Sequence, residues 1–387
     1  MQQRITDQKS ARSSELFILT LFSAAVIFLS SCGGPKNDAA NDETKEDKQE
    51  LKTNEKQVRK IKPEGPKPAW APDITEEMQT VIEAHDSLGP KPLNTLSAVQ
   101  ARKQPSPADA AMAVINKYEI QIPTPKVDTT GQSIPVKGGS IHARVYTPQT
   151  GKDSYPIIVY YHGGGWVIAT IDTYNASAQA LAEQAEAVVV AVEYRKGPEH
   201  KYPTAHADAF AAYKWTLANA ATIKGDTSKV ALVGESAGGN LAIAVSMMAR
   251  DAKIKLPDHQ VAIYPIADNN TASESYVKYA EAKPLNKAGM EWFFKQYLAN
   301  ASQGSKSNIA LVKADLANLP STTIIGAEID PLQSEGKLLA DKLEAAKVPT
   351  TYKLYSGVTH EFFGMALVVP EAKDAQELVV KEIKKAF

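Results

Sequence analysis

Cysteine is almost missing from this chain: Cys32 is the only one in 387 residues. A lone cysteine closes no intrachain disulfide, so stability has to come from a buried core, which a chain of this length can supply. Charge of one sign is missing too. Lys and Arg number 43 against 44 Asp and Glu, a formal net charge of -1, so no strong field draws nucleic acid or an anionic surface. The sequence has no basic patch suited to RNA, no metal-ligand cluster and no internal repeat. Its one run of three glycines is not followed by Gly-Lys-Ser or Gly-Lys-Thr, which excludes a phosphate-cradling P-loop. A long membrane span is not evident either, because the apolar run at 16–29 is only about fourteen residues long.

What is present is chemistry built around glycine. Gly234-Glu235-Ser236-Ala237-Gly238-Gly239-Asn240 lies between the apolar run Val230-Ala231-Leu232-Val233 and the helical run Leu241-Ala242-Ile243-Ala244-Val245. A serine between glycines at a strand-to-helix turn reads as a nucleophile elbow. The turn is so tight that the residues two before and two after the serine must nearly lack side chains. Gly234 and Gly238 meet that need. Ser236 then stands above the sheet, and the positive end of the following helix faces the reacting centre.

A second motif, His162-Gly163-Gly164-Gly165-Trp166, follows the strand-like run Ile157-Ile158-Val159-Tyr160-Tyr161. Three consecutive glycines leave amide N–H groups uncovered, as an oxyanion hole requires, since its donors must be in place before charge develops. Gly163, Gly164 and Gly165 are therefore candidate donors, joined by the N–H of Ala237 directly after the serine.

A nucleophilic serine needs a base and an orienting acid. Of seven histidines, only His259 and His360 follow Ser236, and the chain order of this fold is serine, acid, histidine. His259 precedes the run Val261-Ala262-Ile263-Tyr264, which puts it at the wrong end of the sheet. His360 follows Thr351-Tyr352-Lys353-Leu354-Tyr355 in a glycine-containing loop at the carboxyl end, where ligands gather in open α/β sheets. Asp330, in Asp330-Pro331-Leu332 after Thr322-Thr323-Ile324-Ile325, is the candidate acid and also reads as a helix cap. Glu328 competes for the role.

With these residues in hand, the chain resembles the bacterial hormone-sensitive-lipase-like esterases of the α/β-hydrolase superfamily from about Trp70 onward. The likeness rests on the His-Gly-Gly-Gly-Trp stretch, the elbow, Asp330-Pro331-Leu332, and His360 with Phe362 close behind. Glu193-Tyr194-Arg195, Gly197-Pro198-Glu199-His200, Pro203 and Asp208 add to it. The resemblance implies hydrolysis of carboxylic esters, usually of short acyl chains, by Ser236, His360 and Asp330, with no metal or cofactor. It favours Gly164 and Gly165 over Gly163 as donors and places Trp166, Glu235 and Phe362 at the substrate pocket. Three departures stand out. Glu235 replaces the commoner Asp, Lys196-Gly197 replaces Leu-Ala, and Glu361 follows the histidine where Gly is common. A carboxylate at Glu361 favours the imidazolium or competes with Asp330.

The flanks add location and architecture. Arg4, Lys9 and Arg12 precede the apolar run, which ends in Leu29-Ser30-Ser31-Cys32-Gly33. That is the pattern of a signal peptide over 1–31. It resembles a bacterial lipobox, with Cys32 lipidated as the first mature residue and the chain held to a membrane of the cell envelope; Gly33 argues against retention in an inner membrane. Residues 32–68, rich in Asn, Asp, Glu, Lys and Gln, read as a disordered tether. The remainder, 69–387, reads as α/β: strand-like runs alternate with helical ones, which predicts a mostly parallel central sheet with helices on both faces. By resemblance, the segments at about 69–122 and 267–308 form a helical cap, although the aromatics Trp292, Phe293, Phe294 and Tyr297 equally suit simple core packing. The expected partner is a small-molecule ester, with the oligomeric state left open. Other hydrolases on this scaffold (a carbohydrate acetyl-esterase, an amidase, a lactonase) share the triad, and a non-catalytic binding lipoprotein is the remaining reading.

Overall fold

The five strand-like runs do become neighbouring strands. The structure, a computed structural model, describes residues 60–387. Cys32, the signal-like segment and most of the expected tether lie outside the described residues. Among the described residues eight strands form one sheet: β1 (Val127–Val136), β2 (Gly139–Pro148), β3 (Tyr155–Tyr161), β4 (Val188–Glu193), β5 (Gly225–Glu235), β6 (His259–Ile263), β7 (Ser321–Ile329) and β8 (Thr350–Thr359). Their order is β1-β2-β4-β3-β5-β6-β7-β8. From β4 to β8 all pairs are parallel, while β1–β2 and β2–β4 are antiparallel.

The helices are α1 (Glu76–Ser87), α2 (Ala98–Ala101), α3 (Pro107–Lys117), α4 (Asn175–Ala185), α5 (Thr204–Ala218), α6 (Ala237–Asp251), α7 (Glu274–Lys278), α8 (Lys287–Tyr297), α9 (Gln333–Ala345) and α10 (Pro370–Ala386). Strand side chains alternate between two cores, as the two-residue period of a strand requires. Ile158 and Tyr160 pack with α1, α4 and α10, whereas Ile157, Val159 and Tyr161 pack with α5 and α6. Both faces are covered, which is why these strands read as unbroken apolar runs rather than alternating ones. Among the described residues no helix is long and apolar enough to cross a membrane.

One expectation needs correction. Order begins before residue 69: the backbone N–H groups of Glu64 and Gly65 donate to the Glu83 carboxylate at 2.7 and 3.0 Å, and the Gln79 amide donates to the Gly65 and Pro66 carbonyls. The polar composition of 60–68 that suggested a tether instead finds hydrogen-bond partners on α1. β2 is antiparallel to both of its neighbours and lies inside the sheet between β1 and β4. The edge strand β1 (Val-Asp-Thr-Thr-Gly-Gln-Ser-Ile-Pro-Val) escaped notice because it is mostly exposed and its polar residues carry little strand signal.

Candidate active site

The sheet order reverses at β3, whose neighbours β4 and β5 lie on opposite sides of it. Crevices of open α/β sheets form at the carboxyl ends of strands around such a switch point. Register supplies the detail. Tyr161 of β3 pairs with Gly234 of β5, so the glycine loop and Ser236 leave the sheet side by side. Ile329 of β7 pairs with Thr359 of β8, so Asp330 and His360 are the next residues of adjacent strands.

The elbow is built by steric necessity. Ser236 sits at φ 56° and ψ -116°, a conformation that non-glycine residues rarely adopt. A Cβ at Gly234 would lie 2.0 Å from the Gly238 carbonyl oxygen, and one at Gly238 would lie 1.9 Å from that of Tyr161. Neither position tolerates a side chain. The turn is anchored where the Ser236 N–H donates to Ile263 O at 2.8 Å, and α6 begins at Ala237.

Ser236, His360 and Asp330 meet at hydrogen-bond distance. His360 Nε2 lies 2.9 Å from Ser236 Oγ, and His360 Nδ1 lies 2.6 Å from Asp330 Oδ2. A carboxylate only accepts, so Nδ1 carries the proton and Nε2 is left to accept from the serine hydroxyl. Asp330 Oδ1 accepts from the Leu332 N–H at 2.9 Å, which fixes the carboxylate; the helix cap itself is Leu332, so Asp330 braces the turn before α9 and does not cap it as its sequence suggested. Glu328 is engaged elsewhere, accepting from the Gly357 N–H at 2.9 Å. His259 lies at the start of β6, between the Ser321 and Thr323 hydroxyls.

All three groups are buried. Burial pulls the His360 pKa down, but the charge and hydrogen bond of Asp330, helped by Glu361 and Glu235, raise it above the usual imidazole value. Burial first, and then the neighbouring Glu361, push Glu235 up to about 7. Its two oxygens accept from the phenols of Tyr160 and Tyr264. Burial likewise raises Glu361, whose Oε1 accepts from Tyr174 at 2.7 Å. Glu361 does not compete with Asp330: it stands 3.6 Å from Nε2, the serine side of the imidazole.

Gly164 and Gly165 line the pocket, at φ 91° and 58°. A Cβ on Gly164 would meet the Ile168 carbonyl oxygen at 2.4 Å. Gly163 lies beneath the pocket, where its carbonyl accepts from Tyr194 OH at 3.1 Å and contacts His162 Nδ1 at 2.8 Å. Trp166 and Phe362 are also not where the motif reading put them. Both are fully buried: Trp166 stacks on Tyr297 at 4.8 Å, and Phe362 packs against Tyr264 and Tyr355. Large aromatics next to a site are drawn into the core beneath it by the area they bury. Glu235 does line the pocket.

The cavity above the serine measures about 370 Å³, within the range of small-molecule sites. Its roof comes from the α1–α3 region and the segment before and through α8, notably Leu93, Pro107, Leu285, Met290 and Phe293. The aromatics of α8 thus divide: Phe293 faces the cavity, while Tyr297 packs into the core. Sequence reasoning missed Arg102, directly after α2. Its Nε donates to Val167 O at 2.8 Å, its Nη2 donates to Gly197 O at 2.6 Å, and it forms a two-pronged ion pair with Glu199. It therefore ties the roof to the glycine loop. Nothing in the local sequence around Arg102 signals this, because its partners lie more than sixty residues away. Among the described residues no group of three or more His, Cys, Asp or Glu is placed to hold a metal ion.

Comparison with known proteins agrees with this geometry. A family model described as the alpha/beta hydrolase fold matches residues 158–364. The chain is 36% identical over 251 residues to a carboxylesterase of Mycobacterium tuberculosis, covering 64% of this chain and 79% of that one. It is 30% identical over 319 residues to an ethyl acetate hydrolase of Pseudomonas putida, covering 81% and 98% of the two chains. Among solved structures, a thermostable esterase from Pseudomonas putida superimposes with a TM-score of 0.75 at 30% identity, over 82% of this chain and 98% of that one. The chain belongs to the α/β-hydrolase fold family.

Proposed function

We propose that this carboxylic ester hydrolase is a serine enzyme that works through an acyl-enzyme on Ser236. The observation that carries the proposal is the unbroken relay Ser236 Oγ–His360–Asp330, at 2.9 and 2.6 Å. Ser236 attacks the ester carbon while His360 Nε2 takes its proton. Asp330 holds the imidazole tautomer and stabilises the imidazolium. The amides of Gly164, Gly165 and Ala237 receive the oxyanion; one such donor is typically worth roughly 3 kcal/mol of barrier. His360 then protonates the leaving alcohol, and water repeats the sequence on the acyl-enzyme.

Short acyl groups fit best. The cavity is small, its roof is lined by aliphatic and aromatic side chains, and the relatives include an ethyl acetate hydrolase. The test is labelling with a fluorophosphonate together with a panel of p-nitrophenyl esters and acetylated sugars. The adduct should fall on Ser236, Ser236→Ala should lose essentially all turnover with its fold intact, and simple short esters should outrun the sugars. Full turnover by Ser236→Ala would overturn the assignment.

We also propose that Cys32 is lipidated and that the enzyme works tethered to a membrane of the cell envelope. The support is the basic start, the short apolar run and the Leu-Ser-Ser-Cys-Gly end of that run. Multiple acyl chains anchor stably where one does not. Labelled palmitate should enter the wild-type chain and not Cys32→Ser; equal incorporation would remove the anchor.

A further inference from the structure

The side of the pocket opposite the apolar roof is acidic. Glu361, from the loop after β8, and Glu235, from the elbow, both line the cavity beside Ser236. Among the described residues no lysine or arginine pairs with either. Glu361 has only His360 within ion-pair distance, and Glu235 has no cationic partner. Of the cations lining the cavity, Lys283 pairs with Asp86 at 2.8 Å and Arg102 with Glu199 at 2.6 Å, and Lys91 forms an ion pair with neither glutamate.

Glu361 is placed with some strain. Its φ is +72°, in the left-handed region that glycine occupies far more easily. Strain of this kind persists where the surroundings hold it, and it marks functional positions. Here the Tyr174 phenol holds Oε1, and Oε2 accepts no hydrogen bond from the described residues.

The position of Glu361 relative to the reaction follows from His360. Its Oε1 stands 3.6 Å from Nε2, the atom that hands a proton to the departing alcohol in the serine mechanism. A substituent on that alcohol therefore lies nearer to Glu361 than one on the far end of the acyl chain. We propose that Glu361 is a specificity-determining residue that selects esters whose alcohol part carries an ammonium group. Such a cation gives Glu361 the counter-charge that no lysine or arginine of the described residues supplies, in a site where water screening is weak. The same carboxylate disfavours esters with an anionic alcohol part. This inference rests on the serine mechanism, and its test separates the two.

The probes are acetylcholine and 3,3-dimethylbutyl acetate, which share a shape and differ by one positive charge. The quantity read is the ratio of their kcat/KM values within each variant, so a general loss of turnover cancels. Wild type should favour acetylcholine at least about tenfold, the scale of a hydrogen bond or contact to a charged group, and added salt should erode the preference. Glu361→Gln should bring the ratio close to one. Glu361→Gly, which suits the backbone and protects the test against misfolding, should do the same. A wild-type ratio near one, or a ratio unchanged in both variants, overturns the inference. If wild type also carries the fluorophosphonate adduct on Ser236, the serine mechanism stands and the cation preference alone falls; absence of that adduct removes both.

Discussion

The floor and the roof of the pocket are fastened in different ways. The floor is set by backbone pairing: Tyr161 with Gly234 and Ile329 with Thr359 place the glycine loop, Ser236, Asp330 and His360 as the next few residues beyond paired strands. The roof is fastened by side chains. Asp86 of α1 meets Lys283, each about half exposed, the Trp292 indole donates to Leu96 O at 3.0 Å, and Arg102 reaches across to Val167, Gly197 and Glu199. Solvent-exposed ion pairs contribute at most about 1 kcal/mol, whereas a paired central strand separates only when the core is lost. Ser236, His360 and Asp330 are thus held by the most cooperative part of the molecule, and the cover above them by a few side-chain contacts between distant segments.

Substitutions can break this contrast. The largest effect belongs to the floor: Asp330→Asn should cut kcat by roughly 10³ to 10⁴-fold while leaving the melting temperature little changed, since the amide favours the wrong imidazole tautomer. A loss below tenfold would mean that Asp330 does not orient His360. Arg102→Ala should come next. It severs the link between roof and glycine loop, so kcat for a short ester should drop about tenfold, on the scale of one weakened oxyanion donor. Added guanidinium should restore part of it. A change confined to KM, with no rescue, would assign Arg102 to the roof alone.

The smallest effect concerns the carboxyl beneath the elbow. Glu235 is held at about 7, above its ordinary 4.5. Such a group contributes stability fully below pH 4.5 and loses it as pH rises through about 7. Glu235→Gln keeps a partner for both phenols and cannot ionise. Its melting temperature should therefore gain on wild type by a few degrees between pH 5 and pH 8. A constant gap across that range would mean that Glu235 titrates as it does in the unfolded chain.

These contrasts track what could be read from the chain. Ser236, Asp330 and His360 were legible because each stands where an apolar run stops, and chain order left one histidine at the correct end of the sheet. Gly234 and Gly238 were legible because the turn admits no Cβ. Trp166 and Phe362 were misplaced for the opposite reason: a motif gives adjacency along the chain, whereas the direction of a bulky side chain is decided by the volume left beneath the loop. Residues 60–68 read as a tether because composition is blind to the Glu83 and Gln79 groups that bind them.

By itself the sequence determined the α/β alternation, the elbow, the glycine loop and which aspartate and histidine meet Ser236. These depend on period, sterics and chain order, all of which are local. Only the tertiary structure decided that Glu361 faces the serine side of the imidazole, that Arg102 joins roof to loop, and which aromatics of α8 face the cavity. Those outcomes depend on distances between segments 65 to 187 residues apart, which no local pattern encodes.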